Sequence, residues 1–173
     1  FAIVRNTGPQ LQDTTMKSWL KLFPEGQYGK FEHTKKTHRW RFRVDGTQKM
    51  IDAEFIFRAL DDEDDVANLL SLEVTGFWFN ELREINTSIL AHAGRRAGRY
   101  PGADLGGCTW HGWIGDTNPW PYTSDLHRMF VTETRPGYKF FKQPGGMDEG
   151  AENLENLSQT DETLKLAYND PVR

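Results

Sequence analysis

The sequence predicts an α/β fold, a mostly parallel sheet flanked by helices. Three observations predict it. Strand-like and helix-like patterns alternate along the chain, as in helices packed on a sheet. Two runs, Val74 to Phe79 and Trp110 to Ile114, are dominated by apolar residues, which suits strands buried on both faces. Both runs end abruptly in polar residues, Asn80-Glu81 and Gly115-Asp116-Thr117-Asn118-Pro119. Ligands of open α/β sheets bind beyond such carboxyl ends.

The elements follow in order. Phe1 to Val4 reads as a short buried strand, closed by the turn residues Arg5-Asn6-Thr7-Gly8-Pro9. Asp13 or Thr14 starts a helix carrying Met16, Trp19, Leu20 and Phe23 at helical spacing, and Pro24 and Gly26 stop it. From His38 to Val44 the chain alternates. Trp40, Phe42 and Val44 share one face, and Arg39, Arg41 and Arg43 share the other, which reads as a solvated surface. Asp45-Gly46 turns the chain into a returning strand, Met50 to Phe57.

The acidic run Asp61 to Asp65 precedes Val66, Leu69 and Leu70, so it complements a helix N-terminus. Asn86 or Thr87 caps the next helix, which ends near Gly94 and leads into a basic loop with Arg95, Arg96 and Arg99. Ser124 or Asp125 caps a helix through Met129, and Tyr138 to Phe141 reads as a last strand. Beyond Gln143-Pro144-Gly145-Gly146 the chain turns polar and acidic, so residues 1–150 form the domain and 151–173 a polar C-terminal extension.

Composition narrows the function. A chain of 173 residues suits one domain with a sizeable core, helped by an aromatic content of 13% with six Trp. Its 21 basic and 25 acidic residues, a net charge of -4, argue against non-specific nucleic-acid binding by the whole surface. One cysteine, Cys108, permits neither an internal disulfide nor a thiolate zinc cluster and suits a reducing cytoplasm. No run approaches the roughly 18 apolar residues of a membrane span. The chain starts at Phe1-Ala2-Ile3-Val4 without an initiator Met, so it is expected to be a piece of a longer protein.

Three sets of residues could carry chemistry. Glu81 is a carboxylate delivered at the end of an apolar strand, where ATPases place the group that orients the attacking water. The same pattern also arises when an acid simply opens a helix. Asp116, Thr117 and Asn118 could bond a phosphate or a water, or form an Asx-type turn. Arg95, Arg96, Arg99 and Arg58 could stabilise a transferring phosphoryl group or form a solvated patch. No G-x-x-x-x-G-K-[ST] motif occurs, and Gly29-Lys30 is followed by Phe31, so the chain has no phosphate cradle of that kind.

These stretches together resemble the large terminase subunit of tailed phages. The matching residues are Val4-Arg5-Asn6-Thr7 with Gln10-Leu11 and Asp13-Thr14-Thr15, then Ser71-Leu72-Glu73 leading into Phe79-Asn80-Glu81. Further on they are Gly94-Arg95-Arg96-Ala97-Gly98-Arg99-Tyr100-Pro101, Gly115-Asp116-Thr117-Asn118-Pro119, and Phe140-Phe141-Lys142-Gln143-Pro144-Gly145-Gly146 with Ala151-Glu152-Asn153-Leu154.

The resemblance implies a P-loop NTPase-like (ASCE) sheet, incomplete at the N-terminus, within the ATPase domain and before the nuclease domain. By it, Asn80-Glu81 matches the Walker B end, with Glu81 as catalytic carboxylate. Asn80 stands where other Walker B motifs carry Asp and is a weaker metal ligand. Asp116-Thr117-Asn118 matches the coupling motif that links hydrolysis to DNA movement, and one arginine of the basic loop could reach a neighbour's ATP. The parent protein is expected to use ATP and Mg2+, to translocate double-stranded viral DNA, and to cleave it. Its expected partners are the portal protein and the small terminase subunit. It would act as a ring homo-oligomer at the procapsid portal in the bacterial host cytoplasm, without a membrane. The chain alone is expected to hold no cofactor and not to hydrolyse ATP. Loss of the first P-loop strand is expected to open the centre of the sheet and expose Val74 to Phe79 and Trp110 to Ile114.

Two rival readings stand beside this one. The first is a non-enzymatic interaction module or remnant of phage assembly, with Glu81 structural. The second is a metal-dependent nuclease using Asp61 to Asp65, Glu81 and Asp116.

Overall fold

A six-stranded sheet in the order β2-β3-β4-β1-β5-β6 organises the fold. The computed structural model describes residues 1–134 and 136–144. The strands are β1 (Ala2–Val4), β2 (Lys30–Glu32), β3 (Thr37–Arg43), β4 (Met50–Arg58), β5 (Gly76–Asn80) and β6 (Gly112–Asp116). Strands β4, β1, β5 and β6 run parallel, while β3 and β2 extend the sheet antiparallel. The fold is therefore α/β, with helices flanking a mostly parallel sheet.

Helix α1 runs over residues 8–22. It opens with Gly8–Gln10, widens to π-type turns over Leu11–Met16, and returns to α geometry at Lys17–Leu22. It starts well before the expected Asp13 or Thr14. The Thr7 hydroxyl accepts from the Gln10 amide, and Pro9 supplies a preset φ in the first turn. The turn residues that end β1 are thus also the helix start.

One face of α1 and the sheet share the main core. Leu11, Met16 and Trp19 pack with Ile3, Phe31 and Phe57. Around Trp19 lie the rings of Phe23, Trp40, Phe55, Phe57 and Trp78, with centroids 4.5 to 6.3 Å away. On the opposite side, α3 (Thr87–Arg96, capped by Asn86) lies against β5 and β6. Helix α2 (Glu63–Ser71, capped by Asp62) packs against α3. The acidic run caps α2 as its sequence predicts, with Asp62 accepting from the Asp65 amide at 2.9 Å.

His38 sits at 0% exposure within the aromatic cluster. Its Nδ1 accepts from the indoles of Trp19 (2.9 Å) and Trp40 (3.2 Å). Nδ1 is therefore unprotonated, and the neutral ring carries its hydrogen on Nε2. Burial lowers the His38 pKa from 6.5, with Glu25 opposing. Because the folded pKa lies below the unfolded value, the stability from neutral His38 is present above pH 6.5 and is lost as pH falls through the lowered folded pKa. Thermal unfolding followed from neutral to mildly acidic pH should show this loss, and His38→Leu should flatten the profile. An equally steep profile in the variant would assign the acid sensitivity elsewhere.

Three expectations are corrected, and one strand is added. Strand β2 has one apolar residue in three and gives no sequence signal. Its pairing with β3 holds it, and Gly29 before it has φ +131, where a Cβ would collide with the Arg39 carbonyl. Strand β6 is not buried on both faces. Among the described residues it is an edge strand, and Ile114 is 53% exposed. The sheet also has no gap at its centre. β1 lies between β4 and β5, hydrogen-bonded to both, and Phe77 and Phe79 are fully buried, whereas Trp110 and Ile114 are exposed as expected. Finally, Tyr138 to Phe141 forms no strand, because it has no ladder partner among the described residues. Tyr138 and Phe140 instead place their rings 5.7 and 6.3 Å from Phe130.

The chain divides into two compact units, Phe1–Asn118 and a second that begins at Pro119. In the second, Ser124 caps a helix, α4, over residues 125–132. The expected boundary at residue 150, the stretch Gly145-Gly146 with Ala151-Glu152-Asn153-Leu154, and the extension 151–173 lie outside the described residues. No helix among the described residues is long and apolar enough to cross a membrane.

Candidate functional site

Parallel strands end at the same edge, so β4, β1, β5 and β6 deliver Arg58, Arg5, Asn80-Glu81 and Asp116-Thr117 to one side of the sheet. The register places Val4 opposite both Arg58 and Phe79, and Asn80 opposite Asp116. The structure thereby brings together two of the three residue sets singled out by sequence.

Glu81 follows β5 directly and adopts the left-handed conformation, φ 58 and ψ 60. That region costs a side-chain-bearing residue about 1–2 kcal/mol, so the surrounding structure imposes it. The conformation turns the chain from β5 into a short 3-10 turn, Leu82–Glu84, whose Leu82 is buried. Oε2 of Glu81 is buried and accepts no hydrogen bond. Its nearest cation, Arg83 Nε, is 3.8 Å away. Such an oxygen is free to accept a proton or orient a water.

Asn80 is saturated. Its Oδ1 accepts from the hydroxyl of Thr15 at 2.6 Å, and its Nδ2 donates to Asp116 Oδ2 at 2.7 Å. The other oxygen of Asp116 accepts from the Trp78 indole. Thr117 Oγ1 accepts from the Arg83 amide at 3.3 Å and donates to the Asn118 carbonyl at 3.0 Å, and Asn118 itself is exposed.

Arg5 has no counterpart among the site residues expected from sequence. Only 7% exposed, it donates to the Asn80 carbonyl at 3.3 Å and pairs with Glu84 at 3.6 Å. Neither Arg5 Nε nor Glu84 Oε2 has a hydrogen-bond partner. Thr15, Trp78 and Glu84 were likewise missed. For Arg5 a signal existed: a charge placed immediately after the wholly buried Ala2-Ile3-Val4. For Thr15 there was none, because only the packing of α1 brings it to β5.

The arginines separate into two groups. Arg58 lies at the site edge, where its Nη1 donates to the Phe57 carbonyl. Burial lowers its pKa, opposed by Asp65 and Glu54, and the guanidinium keeps its charge. Arg95 and Arg96 are in the last turn of α3, not in a loop, where they complement the helix dipole. Ala97, next in sequence, bridges Val74, and the Gly98 amide donates to the Val74 carbonyl, both before the start of β5. Arg95, Arg96 and Arg99 therefore flank the amino end of β5, the end opposite Glu81.

The first amide of α1 is already occupied. Both carboxylate oxygens of Asp61 accept from the Gly8 amide, at 2.9 and 3.0 Å. This helix start binds an internal anion rather than a phosphate. Among the described residues no group of three or more His, Cys, Asp or Glu side chains could hold a metal ion.

No family model and no curated protein matches the chain. Among solved structures it is similar to an arginine-to-alanine mutant of the large terminase ATPase domain of Thermus phage P74-26, at a TM-score of 0.41 and 15% identity. The match covers 80% of this chain and 54% of that one, so the chain spans about half the length of that structure.

Proposed function

We propose that this chain is part of the ATP-driven motor of a large terminase, and that Glu81 is the carboxylate that orients the water attacking the terminal phosphate. The observation that carries the reading is Glu81 itself. It stands in a strained left-handed conformation at the carboxyl end of a buried parallel strand, with one sheltered oxygen left without a hydrogen bond. Among the described residues Lys36 shares the first feature and Glu84 the second, and Glu81 combines both at the carboxyl end of a strand.

In this reading each residue of the edge has a task. Arg5 anchors the Asn80 carbonyl and Glu84, stiffening the turn that aims Glu81. Asp116 and Thr117 hold the end of β6 against that turn, so a change at the nucleotide would reach the coupling stretch Asp116-Thr117-Asn118. The phosphate cradle would be supplied from outside the described residues, and β6, the outer strand among those described, is the edge at which one more parallel strand would pair. Magnesium would arrive on the nucleotide phosphates and neutralise their charge, with Asp116 and Glu81 as the carboxylates able to hold its waters. The amide of Asn80 is already committed to its neighbours. Because Arg95, Arg96 and Arg99 lie away from Glu81, any one that serves as an arginine finger acts on a neighbouring subunit. The DNA substrate, the portal and small-subunit partners, the ring and the place in the host cytoplasm belong to the same proposal.

The test compares ATP hydrolysis by this chain with that of a chain extended N-terminally through a phosphate-binding loop. Each is assayed with and without Glu81→Gln. Turnover is expected only in the extended chain, and Glu81→Gln should reduce it by about 10²-fold or more. An extended chain that is inactive, or indifferent to Glu81→Gln, would move the interaction-module reading ahead.

A further inference from the structure

The resemblance places Asn80 beside Glu81 where other Walker B motifs carry a metal-supporting Asp. Its hydrogen bonds assign it a different task. Asp116 is acceptor-only when ionised, so the group of residue 80 that faces it must be a donor, which places Nδ2 there. The opposite group, Oδ1, must accept from the Thr15 hydroxyl. Thr15 is 4% exposed and rides on the π-type stretch of α1. The result is a directional chain, Thr15 to Asn80 to Asp116, joining helix α1, strand β5 and strand β6. The Trp78 indole closes it at the other oxygen of Asp116. Near neutral pH an amide satisfies both neighbours at once, whereas an ionised carboxylate has no donor to offer. An aspartate at 80 could still accept from Thr15, but it would set two carboxylates at hydrogen-bonding distance with no proton between them.

We propose that Asn80 is a positioning residue whose amide holds the carboxylate of Asp116 at the end of β6, so that the acid of this strand junction is residue 116 and not residue 80. That Asp116 then serves hydrolysis rests on the motor reading, whereas the arrangement itself does not. The requirement is complementarity, one donor facing one acceptor, rather than the identity of either residue. It therefore survives exchange: an aspartate at 80 can accept from Thr15 and from an asparagine at 116, whose own oxygen can accept from Trp78.

The test uses this chain and measures the midpoint of thermal unfolding for Asn80→Asp, Asp116→Asn and the double exchange. Near neutral pH, Asn80→Asp should lower the midpoint by about 2–4 °C, on the scale of one lost hydrogen bond at this solvent-exposed pair in a chain of this size. The loss should shrink towards about pH 4, where one carboxyl takes up the proton that the pair lacks. Asp116→Asn should cost a similar amount with little dependence on pH. The double exchange should recover most of both losses near neutral pH. An additive double variant, or an Asn80→Asp loss that does not change with pH, would overturn the proposal. Thr15→Val should weaken the rescue, because it removes the donor that orients residue 80. If Asn80→Asp alone does not fold near neutral pH, its midpoint at acid pH and the double exchange still decide the question. An extended chain without ATP hydrolysis would refute the motor reading and leave the exchange result intact.

Discussion

Glu81→Gly should make the protein more stable and, in the extended chain, inactive. Glycine adopts left-handed geometry without the clash that a Cβ meets, so the substitution releases about 1 kcal/mol. That corresponds to a midpoint rise of about 2–4 °C in a domain of this size. The carboxylate makes no hydrogen bond that the fold would miss. Its ion pair with Arg83, at 3.8 Å and about half exposed on the arginine side, contributes little. Hydrolysis, in contrast, should fall by about 10²–10⁴-fold, the usual worth of a positioned acid or base. Glu81→Gln separates the two effects, because it keeps the strain and should lose activity without gaining stability. Lys36 is the internal control. It is the other residue besides glycine with positive φ, at 50°, among the described residues, and it lies in the turn between β2 and β3. Lys36→Gly should give a similar rise in midpoint with no loss of turnover. If Glu81→Gly lowers the midpoint instead, the side chain is structural and the strain serves the turn rather than catalysis.

Trp19→Ala should come close to unfolding the first unit. Trp19 is 7% exposed, has five aromatic neighbours on β3, β4, β5 and at the C-terminal cap of its own helix, and donates to buried His38. Removing a buried Trp costs about 3–5 kcal/mol. Domains are typically stable by only about 5–15 kcal/mol. The cavity would open where α1 meets the sheet, so Thr15, one turn earlier, should lose its hold on Asn80 as well. Trp19→Phe keeps much of the ring but strips His38 of an indole donor, and should cost about 1–2 kcal/mol. Chemical denaturation of the three chains gives the ranking. A Trp19→Ala loss no greater than that of Trp19→Phe would mean that the core tolerates the void and that the cluster is less cooperative than its packing indicates.

Elements with a strong local pattern were legible in advance. The alternation of Trp40 and Phe42 with Arg39, Arg41 and Arg43 announced β3, and the acidic run announced the capped start of α2. Asn86 and Ser124 cap the helices that their side chains suggest. Elements held by partners rather than by their own residues were not legible. β2 exists because β3 accepts it, and Tyr138 to Phe141 is no strand because nothing described pairs with it.

Glu81, Asn80, Asp116 and Thr117 could be picked out because polar groups at the ends of apolar strands are conspicuous along a chain. Their order across the sheet, the insertion of β1 between β4 and β5, and the removal of Arg95, Arg96 and Arg99 to the other end of β5 could not. Strand order depends on contacts far apart in sequence, and no local preference encodes it. The same holds for the hydrogen bonds. That Asn80 must be an amide follows from Thr15 and Asp116, residues 65 and 36 positions away. Residue type and local pattern determined which groups could do chemistry. Tertiary packing decided which of them meet, because a hydrogen bond is made over about 3 Å of space whatever the distance along the chain.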